Sequence, residues 1–189
     1  MALIVVGENG ENQIVVAPGA NAALCAEDVQ PQGADAVLCQ LEIPDEPLLA
    51  AAYQADGLFC LNAAPGRTVP GAVLERTDLL IVNELEAEAV SSVLGAFGGL
   101  RAVTLGRRGA ELWRGETTLA RANPPMIHSV DTTAAGDAFC AALAVGLLER
   151  RDYESALRRA CAAGALAASR PGAQPSLPSS DEVDGMLAS

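Results

Sequence analysis

Val130-Asp131-Thr132-Thr133-Ala134-Ala135-Gly136-Asp137-Ala138-Phe139 runs into an apolar stretch, Ala138 to Leu148, through small and acidic residues only. A β-like approach that closes at Val130, followed at once by a buried helix, sets a helix N-terminus at a strand end. Ala134, Ala135 and Gly136 are small enough to let a ligand reach the main chain. The first-turn amides and the positive end of the helix dipole then face one spot. Negative charge on a phosphoryl group is stabilised there, and Asp137 in the same turn is placed to take a proton from a neighbouring hydroxyl. An anion hole beside a base points to phosphoryl transfer. Taken alone, the same residues also suit an ordinary turn, because acidic residues favour first helical turns for dipole reasons.

Working outward, Ala34 to Glu42 is a short apolar run with a polar end, the pattern of a central parallel strand whose carboxyl end meets a ligand crevice. Glu42 sits at that end, and Pro44 to Ala55 reads as a helix. Gly57 to Asn62 and Asp78 to Asn83 repeat the strand pattern. Asn83 suits the cap of a helix that opens Glu84-Leu85-Glu86-Ala87-Glu88. Leu100 to Gly106 is a further strand, and Ala110 to Arg114 pairs with it as a hairpin across Arg107-Arg108-Gly109. Thr117 to Arg121 adds an edge strand before Pro124-Pro125 breaks regular structure. Ala138 to Glu149 and Glu154 to Ala168 are two Ala-rich helical patterns. At the other end of the chain, Ala2 to Val6 and Gln13 to Val16 are β-branched runs around a hairpin-like turn over residues 7–12. Strands alternating with helices predict an α/β class with a mostly parallel central sheet and ligands at its carboxyl edge.

A chain of 189 residues with half of them hydrophobic is long enough for one domain with a substantial core, and residues 1–189 are expected to form a single domain. A net charge of −12 and a pI near 4.4 leave no basic stripe for a nucleic-acid backbone or an anionic membrane surface, so neither is an expected partner. No uninterrupted apolar stretch approaches the ~18 residues of a membrane span. Cys25, Cys39, Cys60, Cys140 and Cys161 contain no C-x-x-C pair and lie mostly in apolar runs, which reads as buried thiols in a reducing cytoplasm. One histidine, His128, leaves no multi-histidine metal site.

Asp131 to Phe139 resembles the C-terminal signature of the ribokinase-like (PfkB) carbohydrate kinases. So do Gly19-Ala20-Asn21, the N-x-x-E pair Asn83 and Glu86, the T-L-G-x-x-G turn from Thr104 to Gly109, and the Pro/Gly loop from Ala167 to Pro178. These motifs stand in family order from about Ala2 to a final helix at Ser180 to Leu187. The resemblance implies a three-layer α/β/α fold and ATP-dependent phosphorylation of a pentose's primary hydroxyl, with D-ribose to ribose 5-phosphate as the expected reaction. It implies Asp137 as the base, the amides of Ala134, Ala135 and Gly136 as the anion hole, and Glu42 with Asp137 on the sugar. Asn83 and Glu86 would organise Mg²⁺. Thr104, Leu105, Gly106, Arg107, Arg108, Gly109, Gly136 and Cys161 would lie along ATP. Asp131, Thr133, Ala167, Arg170, Gly172 and Ser176 would hold a monovalent cation, K⁺, and oxygen ligands suit so hard an ion.

Two departures from the family pattern stand out. Nothing matches the strands, lid and Gly-Gly sugar segment that precede this region in complete relatives, so the chain corresponds to an N-terminally truncated fold, its C-terminal, nucleotide-binding portion. Missing strands would leave an unpaired sheet edge, with association into a homodimer or aggregation the expectation. The linker from Glu88 to Arg101 is also short, leaving little room for the usual helix and strand before Thr104. Two other readings are therefore carried forward: a catalytically inactive nucleotide-binding remnant, and an acidic interaction module using the sheet edge.

Overall fold

The computed structural model describes residues 2–6, 12–95 and 97–188. In chain order the elements are β1 (Ala2–Val6), β2 (Asn12–Val16), α1 (Ala20–Ala23), β3 (Ala36–Gln40), α2 (Asp45–Gln54), β4 (Leu58–Asn62), α3 (Gly71–Arg76), β5 (Leu79–Asn83), α4 (Glu84–Ala89) and α5 (Ser91–Leu94). They continue with β6 (Leu100–Thr104), β7 (Ala110–Arg114), β8 (Thr117–Ala122), α6 (Ala135–Leu148), α7 (Tyr153–Ala168) and α8 (Ser180–Ala188). None of the described helices is long and apolar enough to cross a membrane.

The chain divides into two compact units. One comprises residues 18–106 and 110–120 and carries the sheet, in the order β3-β4-β5-β6-β7-β8. β3 to β6 run parallel, and β7 turns back antiparallel on β6 with Thr104 opposite Ala110. β5 explains why: Leu79, Leu80, Ile81 and Val82 are all buried, as in a strand covered on both faces. Leu48, Val73, Phe59, Leu61, Leu80 and Val82 form the core between sheet and helices. Arg76 closes the amino ends of the strands. It donates to the carbonyls of Ala55 (2.9 Å) and Gly57 (2.6 Å), pairs with Asp78 and lies over the Phe59 ring.

The short linker still completes its crossover. α4 and α5 span only a turn or so each, yet β6 pairs with β5 over its whole length. Edge strand β3 is only half-buried, with Leu38 41% exposed.

The second unit holds residues 107–109 and 121–189 and is built on α6 and α7. Small residues set their closeness: a Cβ on Gly146 would lie 3.0 Å from the Ala156 Cβ, and one on Gly164 would lie 3.0 Å from the Ala135 carbonyl oxygen. Ala138, Ala162, Ala163, Leu166, Ala167 and Val183 form its core, with Val183 supplied by α8. The ribbon β1–β2 groups with this unit and is antiparallel, Ala2 opposite Val16. The expected turn between these strands, residues 7–11, lies outside the described residues.

Two expectations need correction. No strand ends at Val130; residues 123–134 are irregular, because Pro124 and Pro125 cannot extend β8 and the segment bonds to a helix end instead. α6 starts at Ala135, three residues before the expected Ala138, which brings Gly136 and Asp137 into its first turn.

Candidate active site

The α6 terminus is built from the signature. Val130 and Asp131 both donate their amides to the Ala168 carbonyl, at 2.8 and 3.2 Å, which ties the signature to the last turn of α7. Asp131 is buried. Its Oδ1 accepts from the amide of Thr133 at 2.9 Å and from the Thr133 hydroxyl, and its Oδ2 accepts from the Gly172 amide at 2.9 Å. The Thr133 hydroxyl first, then the Gly172 and Thr133 amides, hold this carboxyl below the usual carboxylate range. Gly172 takes a φ of +88°, a conformation that glycine adopts without strain.

The next residues open outward. Ala134 caps α6 without any side-chain hydrogen bond, so the helix N-terminus is not closed by its own cap. Ala134 is buried, Ala135 half-buried, and Gly136 and Asp137 are exposed. A Cβ on Gly136 would meet nothing within 4 Å. The expected anion hole is narrower than the signature suggests, since the Ala135 amide donates to the Thr132 carbonyl at 3.2 Å; the positive helix end is open at exposed Gly136, with Asp137 in the same turn.

In the same unit, Ala167 accepts from the Arg170 amide at 3.1 Å, and Ser176, fully buried, donates its hydroxyl to the Ala173 carbonyl at 2.7 Å. Asp131, Thr133 and Gly172 are thus joined directly, with Ala167, Arg170 and Ser176 in the loop that follows α7. This donor set fits a hard monovalent cation on one observation: a buried carboxylate whose three hydrogen-bond donors are all neutral, with no basic side chain bonded to it among the described residues. Cys161 lies in the helix packing, its thiol facing the Ala122 carbonyl at 3.7 Å and pushed up to about 12 by burial. Arg107 and Arg108 are exposed in a 3-10 turn. The next residue, Gly109 at φ +91°, needs its missing side chain, since a Cβ would lie 1.9 Å from the Ala122 carbonyl oxygen.

In the sheet-bearing unit, Asn83 and Glu86 form a reciprocal capping box. The Glu86 amide donates to Asn83 Oδ1 and the Asn83 amide to Glu86 Oε2, both at 2.8 Å. Burial raises the Glu86 carboxyl, and the Asn83 amide partly opposes this. Glu86 Oε1 has no partner among the described residues, and no three acidic, His or Cys side chains there group as a metal cluster. One available carboxylate oxygen suits Mg²⁺, which keeps most of its ligands as water and phosphate oxygen. Thr104 ends β6, its hydroxyl 3.4 Å from the Val82 carbonyl; Leu105 is half-buried, and Gly106 turns the chain at φ +56°.

Glu42 lies two residues beyond β3, exposed in a bend rather than on the strand. It lines a cavity of about 300 Å³ with Asn21, Leu38, Cys39, Gln40 and Ile43. Asn21 belongs to the Gly19-Ala20-Asn21 motif, to which the sequence assigned no role; its spacing from Glu42 hid their proximity. A larger cavity of about 790 Å³ lies at the amino ends of the strands, beside Leu58, Asp78, Phe97 and Leu100. Size does not select it, because ligands of open α/β sheets bind at the carboxyl ends and no motif residue lines it.

Comparison with known proteins fits this geometry. Residues 1–180 match the pfkB family carbohydrate kinase model. Ribokinase of Bacillus subtilis (strain 168) is 34% identical over 205 positions, which cover 98% of this chain and 68% of the relative. The relative thus carries insertions within the matched span. Among the solved structures that align are ribokinase from Thermotoga maritima (TM-score 0.86, 32% identity, 100% of this chain and 69% of the other) and Arabidopsis thaliana ribokinase complexed with ribose and ATP (TM-score 0.79, 28% identity, 98% and 68%). This chain shares its mostly parallel sheet flanked by helices with these two structures.

Proposed function

We propose, because this chain belongs to the pfkB family of carbohydrate kinases, that it transfers the γ-phosphoryl group of ATP to the primary hydroxyl of a pentose, D-ribose giving ribose 5-phosphate. One observation carries the reading: the start of α6, where Ala134 supplies no side-chain cap, places exposed Gly136 and exposed Asp137 in a single turn. Ribose is favoured over other sugars by likeness to ribokinases, one of them solved in complex with ribose and ATP.

Asp137 takes the hydroxyl proton as the sugar oxygen bonds to the γ-phosphorus and the bond to ADP breaks. The Gly136 amide, with the small Ala134 and Ala135 leaving room beside it, stabilises the charge that builds on the phosphoryl oxygens. Glu42, on its cavity with Asn21, accepts hydrogen bonds from sugar hydroxyls. Thr104, Leu105, Gly106, Arg107, Arg108 and Gly109 form the turn along the nucleotide, with Cys161 packed in α7. Asn83 and Glu86 would hold Mg²⁺, which would supply positive charge beside the phosphate oxygens. Asp131, Thr133, Ala167, Arg170, Gly172 and Ser176 would hold K⁺, which would supply positive charge beside the buried carboxylate.

The test is ADP release with ATP, Mg²⁺ and K⁺ in the presence of ribose, 2-deoxyribose, fructose or no sugar. Ribose-dependent release with formation of ribose 5-phosphate supports the reading. Nucleotide binding without release from any sugar identifies a nucleotide-binding remnant instead.

A further inference from the structure

The loop after α7 carries most of the proposed cation ligands, and its hold on the rest of the molecule runs through a residue outside every motif. Arg170, first in that loop beyond the helix cap Ser169, reaches Glu182 on α8: Nη2 donates to Oε1 at 2.5 Å and Nη1 to Oε2 at 3.4 Å. The same Oε2 accepts the Ser179 amide at 2.8 Å, and the Glu182 amide donates back to the Ser179 hydroxyl at 3.3 Å. Glu182 is therefore the acidic half of a capping box, with its rotamer fixed before the arginine is counted.

α8 itself is anchored. Val183 is buried in the core of the helical unit, and Arg159 of α7, 6% exposed, donates to Asp184 and to the Ser180 hydroxyl at 2.6 Å. The path is continuous: α8, Glu182, Arg170, the loop to Gly172, then Asp131 Oδ2 at 2.9 Å and Thr133 before α6. Within the loop, Pro171 and Pro175 have no amide to donate.

We infer that Glu182 is a positioning residue for the monovalent-cation site: through Arg170 it holds the loop so that the main-chain oxygens of Ala167 and Arg170 and the Asp131 carboxylate face one ion. This rests on the cation assignment proposed above. Glu182 touches neither substrate nor ion, and acts on cation affinity rather than on the phosphoryl step. An isolated exposed pair contributes little, but this one is bidentate and preset by a cap, so its loss is felt in the loop.

The experiment is thermal unfolding of the full chain, without nucleotide or sugar, as KCl replaces choline chloride at constant ionic strength, which keeps screening fixed. Glu182→Gln keeps the Ser179 cap acceptor and removes the charge. Tm rises with K⁺ as a stabilisation of RT ln(1 + c/Kd) requires, c being the K⁺ concentration, and the binding midpoint fitted from that rise should increase about three- to fivefold, apart from any uniform change in Tm from the lost ion pair. The charge-swapped pair Arg170→Glu with Glu182→Arg should bring that midpoint back toward wild type. In ribose-dependent turnover, the half-saturating K⁺ should move by the same factor while kcat at saturating K⁺ holds. A K⁺ titration of Glu182→Gln that superimposes on wild type, or a uniform drop in Tm with the midpoint unmoved, overturns the inference and leaves the cation site standing. Wild-type protein that K⁺ stabilises no better than choline overturns the cation assignment with it, while the Asp137 mechanism keeps its own test.

Discussion

The Gly172 amide donates to Asp131 Oδ2 at 2.9 Å, across 41 residues of sequence, and so pins the loop after α7 to the turn that launches α6. Asp131→Asn turns that face of the carboxylate into a donor opposing a donor. A charge-assisted hydrogen bond is lost in a buried place, so unfolding free energy should fall by about 2 kcal/mol. Chemical denaturation measures it, and stabilisation by K⁺ should vanish in the same variant. An Asn variant as stable and as K⁺-responsive as wild type would contradict this role.

Gly136 separates anion binding from folding. Nothing within 4 Å would meet a methyl there, and alanine favours a helix over glycine by roughly 1 kcal/mol. Gly136→Ala should therefore keep or raise Tm while turnover falls at least tenfold, because the methyl enters the space an incoming phosphate needs. Unchanged kcat/KM for ATP would show that no anion approaches this turn.

Asn83 has a structural job whatever else it does. Asn83→Ala should cost about 1 kcal/mol through the lost cap, whereas Asn83→Ser should keep most of that stability. If the pair also organises Mg²⁺, Asn83→Ser will still need more Mg²⁺ for half-maximal turnover. Identical Mg²⁺ dependence in Asn83→Ser and wild type would leave only the cap.

The Arg170–Glu182 pair sets an acid limb of stability. Hydrogen bonds from Arg170, then from the Ser179 amide, bring the Glu182 carboxyl down to about 2 from its ordinary 4.5. A carboxyl depressed by folding contributes stability that is fully present above its unfolded value and lost as pH falls through its folded one. Tm should thus decline between about pH 4.5 and 2, and Glu182→Gln should flatten that decline. A Gln variant with the wild-type acid limb would assign the decline to other carboxylates.

The elements were largely legible because their signals are local. Buried runs such as Leu79 to Val82 gave the parallel strands, the N-x-x-E spacing of Asn83 and Glu86 gave a helix start, and alanine-rich periodicity gave α6 and α7. Val130 misled, because an apolar residue before a turn looks like a strand end when its actual partner, the Ala168 carbonyl, lies far along the chain. Distance in sequence also hid the Asn21–Glu42 cavity and the Arg170–Glu182 pair, neither of which follows a period or a fixed spacing. In the sequence only family likeness groups Asp131, Thr133 and Gly172; their joining depends on where α7 ends.

Asp137→Ala tests whether the first turn of α6 is where the chemistry happens. Calorimetric titration of MgATP and a single-turnover assay with ribose should be run on wild type and variant side by side. The carboxylate as base predicts ATP affinity within about twofold of wild type and a phosphoryl-transfer rate lower by ~10²–10⁴. A variant that forms ribose 5-phosphate at the wild-type rate would remove Asp137 from the mechanism.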